Sequence, residues 1–155
     1  MKYPSYFGVD SREVELEGEG YFKISSDKNR PFRVKCNSTV TEVTGTEFNI
    51  KSRADNLSIT VVEGSVKTFS SSGEEGVAVT RGEMITLRSS GSFSKPQRVN
   101  LSHSLAWREN KISFSKTALW LAAEELERCY SNIDIIIVSD SLKQKTITGI
   151  FDTNS

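Results

Sequence analysis

The chain has 155 residues, in which 20 Lys and Arg are balanced by 20 Asp and Glu, with one histidine. That balance supplies no basic stripe to neutralise phosphates and no polybasic patch for an anionic membrane, which argues against nucleic acid and lipid headgroups as partners. The length allows one domain, or one and a half small ones, with a hydrophobic core.

Two cysteines, Cys36 and Cys129, stand far apart. One pair is too few for a disulfide-built miniprotein or a four-ligand zinc site. His103 lies in a Ser-rich stretch with no second histidine to share a metal, so its expected role is ordinary surface polarity. The chain opens without the pattern of a signal peptide, and no stretch approaches the ~20 apolar residues of a membrane span.

In chain order, Val14 and Leu16 alternate with charged residues, meet Gly18-Glu19-Gly20 and give way to Tyr21-Phe22, the signature of a hairpin. Ser26-Asp27-Lys28-Asn29 is a break, and Pro31-Phe32-Arg33-Val34 a strand with proline at its opening position. A strand at 40–43 turns at Thr44-Gly45 into one at 46–50. Asp55-Asn56 precedes a strand at 57–62, and Glu63-Gly64 turns it into 65–69. A polar tip covers 70–76, and 77–79 leads through Arg81-Gly82-Glu83 into 84–87. Closely spaced turn signals with no helical period between them predict an antiparallel β-sandwich or roll. The words Leu16-Glu17-Gly18 and Val62-Glu63-Gly64 read as two similar hairpins.

The composition loosens over 90–110, with room for a short strand at Phe93 or Val99. The expected division is a β domain at 1–102, a linker at 103–110 and a partial α+β module at 111–155. In that module Ile112-Ser113-Phe114 is a strand, and Ser115 caps a helix over 116–130. Leu119, Ala122, Ala123, Leu126 and Tyr130 form its single apolar stripe. Burying such a stripe is worth ~1.5–3 kcal/mol for each large side chain. Cys129 reads as a packed thiol at the edge of this stripe, whereas Trp120 and Leu121 fall off it. The apolar run at 133–138 reads as a buried strand, and a second strand at 145–151 closes the chain. The fold expected is mainly β, a sandwich or roll followed by a small partial βαββ module.

Chemistry is scarce. There is no phosphate-cradling glycine loop before a helix, no nucleophile elbow and no histidine placed beside an acid in sequence. Glu17, Glu19, Glu63, Glu74, Glu75 and Glu83 sit by glycine-bearing turns, where acids face solvent. Tyr3, Tyr6, Phe7, Tyr21 and Phe22 suit either stacking on a sugar ring or filling a core, and strand aromatics mostly fill cores. The expectation is therefore no catalytic, metal-binding or cofactor-binding residue, and no enzyme. A ligand-sensing β module for a glycan or other small molecule is the alternative.

Five words in order carry a resemblance. Arg12-x-Val14-x-Leu16-x-Gly18-Glu19-Gly20-Tyr21-Phe22, Arg30-Pro31-Phe32-x-Val34, Val43-Thr44-Gly45-Thr46-Glu47-Phe48-Asn49-Ile50, Val61-Val62-Glu63-Gly64-Ser65-Val66 and Arg81-Gly82-Glu83 resemble the FecR family. The tail, with Trp107-Arg108, Ile112-Ser113-Phe114, Leu119, Leu126-Glu127-Arg128, Tyr130 and Thr148-Gly149-x-Phe151, resembles the domain that follows FecR in Bacteroides-group regulators. That domain is similar to the small signalling module of secretins and TonB-dependent transducers.

The resemblance implies the periplasmic part of an anti-sigma regulator whose parent is anchored in the inner membrane. It implies contact with the signalling domain of a TonB-dependent outer-membrane transducer, and contact with a sigma factor only through a cytoplasmic region not in this sequence. Family members begin with strands upstream of the position of Tyr3-Pro4 and add a helix and strand after that of Phe151. The chain thus reads as a fragment whose open edges favour a homodimer or strand exchange. Candidate contacts are Trp120, Leu121, Thr146, Ile147, Thr148, Ile150 and Phe151, as an exposed sheet edge or apolar patch. For Trp120 and Leu121 the competing reading is a core surface covered by the missing helix.

Overall fold

The computed structural model describes residues 2, 7–8, 11–53, 56–70, 76–88, 90–130 and 132–153. Tyr3, Pro4, Tyr6, Asp55, Glu74, Glu75 and most of the polar tip lie outside the described residues. The chain divides into two compact units, Met1–Leu101 and Ser102–Ser155.

The first unit is a two-layer β-sandwich. One sheet contains β1 (Arg12–Glu15), β3 (Phe32–Cys36), β4 (Thr39–Val43), β7 (Ser65–Ser70) and β8 (Val77–Thr80), in the order β1-β3-β4-β7-β8. The other contains β2 (Glu19–Lys23), β5 (Glu47–Arg53), β6 (Asn56–Glu63), β9 (Glu83–Leu87) and β10 (Gln97–Arg98), in the order β10-β9-β6-β5-β2. Neighbouring strands are antiparallel except β1 and β3, which pair in parallel with Val14 opposite Val34. Phe93 adds an isolated bridge to Leu87.

Period-two alternation is what builds this core. Phe32, Val34 and Cys36 point inward from β3 while Arg33 and Lys35 stay outside. Phe48, Ile50, Ile59, Val61, Val34 and Val79 are fully buried in one cluster drawn from both sheets. Phe22 stacks on Phe48 with centroids 5.1 Å apart, an offset contact typical of aromatic pairs.

The glycine words expected to make hairpins make corners. Gly18, Gly64 and Gly82 have φ of 85°, 81° and 78°, and each joins a strand of one sheet to a strand of the other. Thr44-Gly45 likewise carries β4 into β5. The consecutive strands that pair with each other are β3–β4, turning at Asn37-Ser38 with Asn37 at φ 50°, then β5–β6, β7–β8 and β9–β10. The repeated aliphatic-Glu-Gly word thus marks two similar crossings between layers. Alternation reports which face of a strand is buried, and is silent on which strand lies beside it.

In the second unit the stretch expected as a linker is helical, with α1 (Leu101–Ser104) and a 3-10 turn at Ala106–Glu109 that buries Ala106. β11 (Lys111–Ala118) pairs antiparallel with β12 (Thr146–Asp152). The helix α2 (Leu119–Cys129) starts three residues later than its expected start at 116, because β11 continues through a bulge. There Lys116, at φ 51°, donates its N–H to the Thr148 hydroxyl at 2.8 Å, and the ladder resumes at Thr117 and Ile147. A short helix, α3 (Asp140–Lys143), precedes β12.

The predicted stripe does face the small sheet. Ala122 and Ala123 are buried, and Ala122 and Leu126 pack with Ile112, Phe114 and Ile147. Two expectations fail. Residues 133–138 form no described ladder, and Ile133, Ile136 and Val138 are exposed. Cys129 is exposed rather than packed.

Candidate interaction surfaces

The most specific sequence word builds a corner of the sandwich. Gly45 meets the 24–27 segment, where the Ile24 and Asp27 N–H groups donate to the Thr46 and Thr44 carbonyls at 3.1 and 2.7 Å. The Thr46 hydroxyl donates to the Ser65 carbonyl at 2.7 Å, tying in the Gly64 corner. These three segments enclose an open cleft of about 360 Å³, lined by Lys23, Ile24, Ser25, Ser26, Gly45, Thr46, Glu47, Glu63 and Gly64.

Its charges are largely satisfied within the protein. Tyr21 donates to Glu47 Oε2 at 2.8 Å, and the Lys23 ammonium pairs with Glu47 Oε1. The hydrogen bond and charge of Glu47 raise the Lys23 pKa above its ordinary value. No ring lines the cleft, so it lacks the stacking platform that the glycan reading requires. Glu19, expected in solvent, is instead largely covered and receives Asn49 Nδ2 at 3.0 Å and Arg53 at 3.3 Å. Its strand alternation carries that signal, since Glu19 and Tyr21 share the face of Asn49 in the β2–β5 register.

His103 Nδ1 lies 2.7 Å from the Ser113 hydroxyl, half-buried rather than on the open surface. Among the described residues no group of three His, Cys, Asp or Glu could hold a metal. Both cysteines are free thiols. No helix among the described residues is long and apolar enough to cross a membrane.

The candidate contacts fall on three surfaces of the second unit. Trp120 and Leu121 are each 40% exposed on the side of α2 turned from β11 and β12. Ile150 sits on the face shared with Ser113, and Phe151 beside Phe114 with centroids 6.1 Å apart; both are exposed. Thr146 and Thr148 are exposed on β12. Ile147 differs: it packs on the Ile112, Phe114 and Ala122 cluster, because alternation along β12 puts it on the same face as Gly149 and Phe151, which oppose Phe114 and Ile112. The surface that sequence reasoning missed is 133–138, whose run of isoleucines looked like a core strand.

The first unit is thus a sandwich of alternating core strands crossed at glycine corners. Residues 3–67 match the family model described as FecR protein. That family is regulatory and non-enzymatic. Two crystal structures of a candidate anti-sigma factor from Parabacteroides distasonis ATCC 8503 are similar over both units, with TM-scores of 0.84 and 0.82 and 26% identity. The match covers 99% of this chain and 72% and 71% of those chains. A search of curated proteins finds no match.

Proposed function

We propose that this chain is the signal-relay portion of a FecR-type anti-sigma regulator, acting through protein contacts and not through catalysis. The family match and the anti-sigma neighbours support the regulatory role. The observation that carries the relay reading is the uneven placement of apolar surface. Among the described residues every exposed large apolar side chain except Phe7 lies beyond residue 102. Exposed apolar side chains gathered in one unit, while the other exposes almost none, fit a unit that makes protein contacts.

In this reading residues 1–102 are the FecR-like scaffold, 103–110 join it to the module at 111–155, and the whole works in the periplasm beneath a membrane-anchored parent. The partner is the signalling domain of a TonB-dependent transducer, and a sigma factor is held by a cytoplasmic region outside this sequence. Trp120 and Leu121 on α2, and Thr146, Thr148, Ile150 and Phe151 on β12, are the candidate contacts.

Titration calorimetry of the chain with a transducer signalling domain tests it. Binding is expected, and the double change Trp120→Ala and Leu121→Ala abolishes it with the melting temperature unchanged. A lowered melting temperature with binding intact returns both residues to packing and removes them from the interface.

A further inference from the structure

The strand that leads into α2 carries one residue more than its partner. From Lys111 to Phe114 the β11–β12 ladder keeps one register, with Ile112 opposite Phe151 and Phe114 opposite Gly149. It resumes one residue out, with Thr117 opposite Ile147 and Ala118 opposite Thr146. Ser115 and Lys116 therefore share Thr148, whose hydroxyl accepts the Lys116 N–H at 2.8 Å. Both are exposed, whereas Thr117 is half-buried. Among the described residues the other non-glycine positive φ values belong to Asn37 and Asn110, a residue type that tolerates the left-handed region. At Lys116 a lysine holds φ 51°. A residue with no ease in that region is kept there by its surroundings.

Register supplies the reason. Side chains alternate along a strand, so an unbroken β11 would set Lys116 on the side of Ile112 and Phe114, opposite Ile147. Those apolar side chains are costly company for an ammonium. The slip would also run on into the helix. In the observed register the Leu119 N–H donates to the Lys145 carbonyl at 2.8 Å. With the surplus residue drawn into the ladder, Ala118 would stand there instead. Every residue of α2 would then move by one place, about 100° around the axis. Leu121 would take the place of Ala122, and Glu125 that of Leu126 against the sheet. We propose that the Lys116 bulge is a phase lock. It stores one residue outside the ladder and so fixes which face of α2 meets the sheet, with Leu126 inside and Leu121 on the open side. This goes beyond the relay reading and does not depend on it.

Urea denaturation of the full chain is the experiment, followed by tryptophan fluorescence, because both tryptophans, Trp107 and Trp120, lie in the second unit. Deletion of Lys116 removes the stored residue, leaves Ser115 opposite Thr148 and changes no other pairing. The midpoint is expected to stay close to that of the wild type. Deletion of Ser113, from the same strand, closes the ladder only by turning the buried Phe114 outward, and the transition of the second unit is lost. Thr148→Val removes the acceptor of the Lys116 N–H and raises the unfolding constant roughly threefold in the wild type, with no effect in the chain lacking Lys116. Helix phase is read by thiol labelling in a Cys129→Ser background. Leu121→Cys reacts faster than Leu126→Cys, with or without Lys116. A Lys116 deletion as damaging as that of Ser113 overturns the proposal. So does an equal effect of Thr148→Val in both chains, or labelling at 126 that overtakes labelling at 121.

Discussion

A Cβ on Gly45 would lie 2.7 Å from the Ser26 Cα, so the two backbones touch where only a glycine fits. Gly45→Ala must therefore displace main chain, and a destabilisation of about 1–3 kcal/mol is expected from the overpacking. Gly64→Ala combines φ of 81° with a Cβ 3.0 Å from the Gly45 carbonyl oxygen. Gly18→Ala, in open space at φ 85°, meets only the backbone term of about 1–2 kcal/mol. Urea denaturation should rank Gly64→Ala as more damaging than Gly18→Ala. Equal effects would mean that the corner knot adds nothing.

Phe48 is fully buried between the sheets and stacked on Phe22, so Phe48→Ala should cost about 3–5 kcal/mol. Phe151, 44% exposed, should cost roughly 1 kcal/mol when truncated. Denaturant midpoints of the two variants test the contrast.

The two thiols should differ in reactivity. Cys36 is 1% exposed, and burial pushes its pKa up, with the Ser52 hydroxyl opposing the shift. Cys129 is exposed. At neutral pH a thiol reagent should label Cys129 in the folded chain and reach Cys36 only in denaturant, as read by mass spectrometry of the peptides. Thiolate is the reacting form, so burial and pKa act in the same direction.

Asp27 introduces a pH dependence of known sign. Its carboxylate accepts from the Arg30 guanidinium at 3.0 Å and from the Arg30 and Asn29 N–H groups at 3.1 Å, and these contacts hold its pKa below the ordinary 3.8. A depressed folded-state pKa gives stability that is present above 3.8 and lost as pH falls through the folded value. The stability gap between wild type and Asp27→Asn should be constant from neutral pH down to about pH 5 and shrink on further acidification. A gap that widens in acid would contradict the assignment.

Much of the sandwich was legible because burial on one face imprints a period of two, as in β3 and β4. The pairing was not legible. Leu16-Glu17-Gly18 and Val62-Glu63-Gly64 encode a change of direction, and the same left-handed glycine serves a hairpin or a corner. The start of α2 was misplaced because Ser115 looks like a cap, whereas the bulge at Lys116 and its bond to Thr148 depend on a residue 32 positions further on. The run at 133–138 was read as interior on hydrophobicity alone, which reports a tendency to be covered and not what covers it. Ile147 turns inward by plain alternation with Gly149 and Phe151 along β12, on the face that opposes Ile112 and Phe114.

The corner topology also sets the order of assembly. β4 cannot be flanked until β7 exists, β6 waits for β9, and β2 waits for β5. Contacts so distant along the chain place folding in the slow, millisecond-to-second regime of all-β domains. A nascent polypeptide must hold its apolar strands unpaired until nearly the whole first unit has emerged, and a chaperone meeting it in that interval would encounter both future layers still open.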